Sequence, residues 1–259
     1  MMYIDKCAYT NRLANVHPME KLAFVALTMT ICLSANSIHI PVLIILIMSL
    51  LTLFKAGIPY KFYIKLMLIP LSFLFLGVIS VAVNIIQNPP EALFSISLFG
   101  KHFGITQESL FYSARLFCKS FGSVSCLYFL SLTTPLVDIV SVLRKLKFPE
   151  IFLELMSLIY RLIFILIRIA GRIHTSQTSR LGYSILKNQY RSLGQLISRL
   201  FILSYKKVND LFVALESRGY TGQLNVLEKQ YKISPKFISF IVIIETSLIF
   251  LELFSRKLI

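Results

Sequence analysis

Residues 22–54, LAFVALTMTICLSANSIHIPVLIILIMSLLTLF, decide the fold. Two apolar runs, Leu22 to Ala35 and Ile38 to Phe54, are separated only by the polar pair Asn36-Ser37. Spanning the hydrocarbon core of a bilayer takes roughly 20 apolar residues. The stretch therefore predicts a helical hairpin in a membrane, joined by a turn without charged residues.

Three further apolar runs have a comparable length: Ile64 to Ile86, Leu110 to Leu132 and Phe237 to Phe254. The composition agrees with them, because 56% of the residues are hydrophobic and 15% are charged, with a mean hydropathy of +0.74. Soluble domains carry about 25% charged residues. The sequence thus predicts an all-α integral membrane protein with about five transmembrane helices.

The charged residues are unevenly distributed, with 27 Lys and Arg against 12 Asp and Glu and a formal net charge of +15. Such an excess is compatible with nucleic acid, anionic lipid or membrane orientation, and the apolar runs favour orientation. Residues 131–236 contain 16 of the 27 basic residues. Since cytoplasmic loops are enriched in Lys and Arg, we expect this segment in the cytoplasm of a cell-membrane protein, with no nucleic acid bound.

The stretch Leu155 to Ala170 is apolar enough for a short span, but charge argues against a crossing. A crossing would place the 11 basic residues from Arg172 to Lys236 outside. Glu154, Arg161 and Arg168 recur every seven residues and form a polar stripe on one helical face. We therefore predict membrane helices in 1–132, a cytoplasmic or interfacial helical arm in 133–236, and a C-terminal membrane helix in 237–259.

The sequence offers no catalytic or metal-binding constellation. It has no G-x-x-x-x-G-K-[ST] phosphate loop, and its four histidines lack the spacing of metal ligands. Acidic, basic and nucleophilic side chains do not occur together in the pattern of a catalytic site. These observations predict a chain that is not an enzyme and has no metal or cofactor of its own.

Two related motifs lie in the arm, QTSRLGY at 177–183 and ALESRGY at 214–220. In each, an arginine follows a serine and precedes a tyrosine, and the two arginines are 38 residues apart. An arginine near a helix end is ordinarily explained by the helix dipole. Its rigid fork of donors also suits a carboxylate in the groove of a partner. The candidate site residues are Ser179, Arg180, Leu181, Ser217, Arg218 and Gly219.

These motifs occur together with others that carry a family resemblance. They are Val16-His17-Pro18, Thr133-Thr134-Pro135, the run LRKLKFP at 143–149, and Ile159-Tyr160-Arg161. Over nearly its whole length the chain resembles the transmembrane coupling (T) component of energy-coupling-factor (ECF) transporters. Within that group it is similar to the CbiQ-like branch, which is associated with cobalt and nickel uptake.

The resemblance implies a division of labour. A separate membrane subunit, the CbiM-like substrate-binding (S) component, captures the substrate, two ABC ATPases hydrolyse ATP, and the T component links them. Arg180 and Arg218 match the arginines that dock into grooves on the ATPases. Leu181 stands where a glycine often follows the first of these arginines. Coordination of cobalt or nickel is expected in the partner.

Other functions stay open at this point. A T component of a vitamin-specific ECF transporter would have the same architecture. A stand-alone carrier or channel would need polar groups near the middle of the spans, where the sequence offers mainly Asn84 and Glu245.

Overall fold

The computed structural model describes residues 2–82, 84–86, 92–98, 101–220, 231 and 234–258. The helices are α1 (Met2–Thr10), α2 (Pro18–Ser34), α3 (His39–Leu50), α4 (Tyr60–Ala82), α5 (Gln107–Thr133), α6 (Leu136–Lys145), α7 (Glu150–Ser179), α8 (Leu186–Glu216) and α9 (Pro235–Leu258). A π-helical turn, Leu51–Lys55, continues α3. Three strands, β1 (Asn84–Ile86), β2 (Ala92–Leu98) and β3 (Lys101–Thr106), lie between α4 and α5.

The predicted helical membrane architecture is confirmed. Within the described residues, α4, α5 and the segment Phe237–Phe254 of α9 are long and apolar enough to cross a bilayer. The apolar helix His39–Lys55 is shorter. The count of five spans stays a prediction.

The chain divides into two compact units, one formed by residues 1–139 and 230–259 and the other by 140–229. The expected division at 132 and 236 into membrane helices and a cytoplasmic arm stays a prediction, because the structure contains no bilayer. We call residues 1–139 and 230–259 the first unit and residues 140–229 the second.

The hairpin at the start of the first unit is confirmed. Pro18 opens α2, and the Nδ1 atom of His17 accepts a hydrogen bond from the amide of Met19 at 3.1 Å, which caps the helix. The turn to α3 falls at Asn36, as predicted. The amide of Asn36 donates to a carboxylate oxygen of Glu252 on α9 at 3.2 Å, so the last helix is tied to the hairpin turn.

Helix α5 is the centre of the first unit and packs against α1, α2, α3 and α4. The approach to α2 is close, because a Cβ atom on Gly122 would lie 2.7 Å from the Sγ atom of Cys32. Small residues permit such approaches between membrane helices. The buried core includes Phe24, Ile44, Met48, Cys126, Phe129 and Leu132.

Two lysines connect α2 and α5 at opposite ends. Lys21, which is only 1% exposed, donates from Nζ to the carbonyl of Thr133 at the end of α5, at 2.9 Å. Lys119 on α5 donates to the carbonyl of Leu33 in the last turn of α2, at 3.0 Å. The last carbonyls of a helix have no partner within it, so each helix supplies the ammonium that the end of the other one needs.

The strands between α4 and α5 were not predicted. They form an antiparallel sheet in the order β1-β3-β2, with Asn84 opposite Gly104 and Ile96 opposite Phe103. The third apolar run was expected to reach Ile86, but α4 ends at Ala82. Within β2, the residues FSISL at 94–98 alternate apolar and polar with the period of a strand.

The second unit is helical, as expected for the arm. Pro149 precedes α7, and α8 covers the apolar residues from Leu193 to Leu215, whose spacing of mostly three and four residues predicts an amphipathic helix. Gly219, with φ of 73°, follows α8 as a glycine past a helix end commonly does. The sequence predicts that Gly219 and Gly222 end this helix. Gly222 lies outside the described residues.

Candidate functional site

The first motif forms the end of α7. The amide of Gly182 donates to the carbonyl of Gln177 at 2.8 Å, and the amide of Leu181 donates to the carbonyl of Thr178 at 3.0 Å. Leu181 has φ of 58°, in the left-handed region. This pair of bonds around a left-handed residue is the Schellman motif. Arg180 immediately precedes the left-handed residue.

The second motif forms the end of α8 in the same way. The amide of Tyr220 donates to the carbonyl of Leu215 at 3.1 Å, and the amide of Gly219 donates to the carbonyl of Glu216 at 3.0 Å. Gly219 is the left-handed residue, and Arg218 immediately precedes it. Every member of this pattern lies 38 residues after its counterpart in the first motif. The resemblance seen in the sequence is therefore a resemblance of backbone geometry.

The two serines act locally. The hydroxyl of Ser179 donates to the carbonyl of Thr175, and the hydroxyl of Ser217 donates to the carbonyl of Ala214, each at 3.0 Å. Both hydroxyl groups thus stabilise the last turn of their own helix, and their donors are used within the chain. The arginines are left as the groups that project from each end.

Both guanidinium groups are exposed. Within the ranges that the structure describes, neither guanidinium group makes a hydrogen bond or salt bridge, and only the backbone amides of Arg180 and Arg218 are bonded, in the last turns of their helices. Leu181 beside the first arginine is also exposed, at 72%. A charged fork at the tip of a rigid helix is suited to entering the surface of another protein.

The end of α7 is braced by the start of α8. The Nε2 atom of Gln177 donates to the carbonyl of Ser192 at 2.9 Å, and the hydroxyl of Tyr183 donates to Oε1 of Gln177 at 2.8 Å. The hydroxyl of Ser192 returns to the carbonyl of Gly182 at 2.9 Å. A Cβ atom on Gly182 would lie 2.7 Å from that hydroxyl oxygen. Glycine is needed here for close approach.

The end of α8 is held by a single long-range hydrogen bond among the described residues. The hydroxyl of Tyr220 donates to Oε2 of Glu154 on the second turn of α7, at 2.7 Å. This bond to Glu154 raises the pKa of Tyr220. It places the end of α8 beside the beginning of α7.

The two arginines consequently lie at opposite ends of an antiparallel helix pair. The turn after Arg180 leads directly into α8, and the end of α8 returns to Glu154. At 1.5 Å of rise per residue, Glu154 and Arg180 are about 40 Å apart along the axis of α7. Arg218 is therefore far from Arg180, and the two guanidinium groups lie at separate ends of the helix pair.

Sequence reasoning missed Ser192 and Gln189, which brace the first motif. The Nε2 atom of Gln189 donates to the carbonyl of Tyr183 at 2.9 Å. No local signal identifies Ser192, because its bond to Gly182 crosses ten residues of chain. Among the described residues, no group of three or more His, Cys, Asp or Glu side chains is placed to hold a metal ion.

Comparison with known proteins agrees with a transport role. Residues 10–230 match a family described as CbiQ, cobalt transport protein. An uncharacterized protein of Methanocaldococcus jannaschii is 34% identical over 253 residues, which cover 98% of this chain and 93% of that protein. The cobalt transport protein CbiQ of Salmonella typhimurium is 28% identical over 230 residues, which cover 87% of this chain and 100% of the relative.

A third relative carries an additional part. The putative fused cobalt transport protein CbiMQ of Methanocorpusculum labreanum is 33% identical over 233 residues. The match covers 90% of this chain but 39% of the fused protein. The similarity is therefore confined to one portion of that longer chain.

Proposed function

Because the chain belongs to the CbiQ family of cobalt transport proteins, we propose that it is the transmembrane coupling subunit of an ECF-type importer. In this role it transmits the motion of two ABC ATPases to a membrane subunit that binds the substrate. The observation that carries the proposal is the identical helix-end geometry that presents Arg180 and Arg218.

The separation of the arginines supports two ATPase subunits. A distance of about 40 Å along α7 is too large for both guanidinium groups to enter one groove. Each arginine instead enters a groove of its own and pairs there with a carboxylate. ATP-driven closure changes the separation of the two grooves, and the α7–α8 pair moves with them.

The partner that captures the substrate is a CbiM-like membrane subunit. Support comes from the relative in which a CbiQ-like portion is fused to a further part, under the name CbiMQ. The proposed substrate is the cobalt ion, with nickel as the alternative of similar chemistry. The second unit lies on the cytoplasmic side of the cell membrane, where its excess of Lys and Arg is favoured.

The test is ATP-dependent cobalt uptake together with co-purification of candidate ABC ATPases. The variant carrying both Arg180→Ala and Arg218→Ala is compared with one carrying Arg191→Ala and Arg199→Ala, two exposed arginines within α8. We expect the first variant to lose the ATPases and uptake while remaining in the membrane. The second variant should keep both, because its arginines lie away from the helix ends.

One observation favours a stand-alone carrier. Glu245 on α9 is 6% exposed, and neither of its carboxylate oxygens has a hydrogen-bond partner among the described residues. An intramembrane carboxyl group often marks a transport pathway. If the double arginine variant still transports cobalt and Glu245→Gln abolishes transport, the carrier function is correct and the coupling function is wrong.

A further inference from the structure

The turn between α6 and α7, residues 145–152, exposes an unusual combination of side chains. Four apolar side chains in it are at least half exposed: Leu146, Phe148, Ile151 and Phe152, at 50%, 51%, 73% and 59%. Lys145 and Lys147 alternate with the first two and are also exposed. Neither the family match nor the two arginine motifs give this turn a role.

The turn is a fixed structure. Lys147 has φ of 59°, and the amide of Phe148 donates to the carbonyl of Leu143 at 3.2 Å. The amide of Lys147 donates to the carbonyl of Arg144 at 3.0 Å. These bonds form a third Schellman motif. The backbone therefore holds the apolar side chains and the ammonium groups in a defined arrangement at the surface.

We propose that the α6–α7 turn is a docking surface for the anionic phospholipids of the membrane leaflet in which α5 ends. The apolar side chains enter the boundary between headgroups and acyl chains, while the two ammonium groups bind the lipid phosphates. Charge complementarity selects this partner, because an anionic leaflet attracts Lys near the surface. Glu150 is the one acidic residue within the turn.

The length of the chain agrees with this partner. Helix α5 ends at Thr133, and only eleven residues precede Lys145. The ten residues of α6 extend about 15 Å. A connection of this length keeps the turn within reach of the headgroups, which extend beyond the hydrocarbon core on each side of the bilayer. The inference depends on membrane insertion and not on contact with ATPases.

The sequence supplies a direct probe, because it contains no tryptophan. A Phe148→Trp variant has one tryptophan, at an exposed position of the turn. The full-length chain is reconstituted in phosphatidylcholine vesicles with or without phosphatidylglycerol, and quenching by acyl-brominated lipid is measured. We expect blue-shifted and strongly quenched emission in the vesicles that contain phosphatidylglycerol. Ile151→Trp provides a second reporter, and Phe201→Trp on α8 serves as the exposed control.

The lysines are tested in the same reporter with Lys145→Gln and Lys147→Gly together. Glycine retains the left-handed conformation at position 147 and removes the charge. We expect the ratio of the membrane-inserted turn to the free turn in anionic vesicles to fall roughly thirtyfold, because the attraction of two lysines to anionic lipid is lost.

Three results would overturn the proposal. Emission at 148 and 151 that stays unshifted and unquenched in anionic vesicles places the turn in water. Quenching that is equal in both lipids and unchanged by the lysine replacements indicates apolar contact without phosphate binding. If the tryptophan is shielded from water only when a CbiM-like subunit is reconstituted with the chain, the partner of the turn is a protein.

Discussion

The ends of α7 and α8 have the same hydrogen bonds around different residues. After α8 the left-handed position is occupied by Gly219, and a Cβ atom there would meet nothing within 4 Å. After α7 it is occupied by Leu181, although a side chain makes this conformation unfavourable by roughly 1–2 kcal/mol. The same backbone conformation is therefore strained at Leu181 and unstrained at Gly219.

The surroundings account for the difference. Leu181 belongs to a turn that Gln177, Tyr183 and Ser192 hold from both sides, so packing imposes its conformation. The end of α8 has only the bond between Tyr220 and Glu154 among the described residues, and it relies on the freedom of glycine. Tertiary contacts stabilise one arginine site, and local backbone preference stabilises the other.

The largest effect should come from replacing either arginine alone. We expect Arg180→Ala and Arg218→Ala each to lower ATP-driven cobalt uptake at least about tenfold, because truncating one member of a buried charge pair costs about 2–5 kcal/mol. Lysine at either position should restore only part of the activity, since it lacks the planar fork. Uptake by each variant measures whether the two sites are equivalent. Loss at only one site would mean that the shared geometry does not imply a shared role.

Next in size is the effect of Gly182→Ala. The added Cβ atom would meet the hydroxyl oxygen of Ser192 at 2.7 Å and the carbonyl oxygen of Gln177 at 2.9 Å. Overpacking of this kind costs about 1–3 kcal/mol. Hydrogen exchange of residues 177–192 should accelerate accordingly. The control is Gly194→Ala on α8, where nothing lies within 4 Å and exchange should not accelerate. Equal exchange in both variants would contradict the bracing of this turn.

A smaller effect is expected from Gly219→Ala. Space is open at this position, so only the left-handed conformation opposes the methyl group. The free energy of opening the end of α8 should fall by about 1 kcal/mol, which increases the exchange rate of the Tyr220 amide roughly fivefold. An unchanged rate would show that the conformation of Gly219 does not limit the stability of this end.

The smallest effect should come from Leu181→Gly, and it should have the opposite sign. Relief of the left-handed strain stabilises the folded state. The greater freedom of glycine in the unfolded chain offsets about 0.5–1 kcal/mol of this stabilisation. The Gly182 amide should exchange slightly more slowly, with a net gain below about 1 kcal/mol. Faster exchange would mean that the leucine side chain, although exposed, contributes a stabilising contact.

The sequence predicted the structure where a hydrophobic pattern is long or where a backbone conformation requires a particular residue type. The hairpin around Asn36 and the amphipathic helix α8 follow from hydrophobic runs and periodicity. Gly219 was recognisable as a helix end because glycine prefers the left-handed position. The left-handed Leu181 was not, since its conformation depends on bonds to Ser192 and Gln177 that no local pattern encodes.

The sheet and the reciprocal lysines were missed for related reasons. The alternation in β2 covers only five residues, 94–98, and lies between two long apolar runs, which is too short a pattern to predict a strand. The role of Lys21 was missed because its acceptor, the carbonyl of Thr133, is 112 residues away in the sequence. Of the candidate site, the sequence predicted the two arginines and their spacing. The opposite placement of the two ends required the bond between Tyr220 and Glu154.

The reciprocal lysines of α2 and α5 have a mechanical consequence. If one helix slid along the other by a single turn, about 5.4 Å, Lys21 would leave Thr133 and Lys119 would leave Leu33 in the same step. The buried carbonyl of Thr133 would lose the ammonium of Lys21, and the exposed carbonyl of Leu33 would lose that of Lys119. The pair thus resists piston-like motion, and any movement of these two helices during a transport cycle is expected to be rotation or tilting as one body.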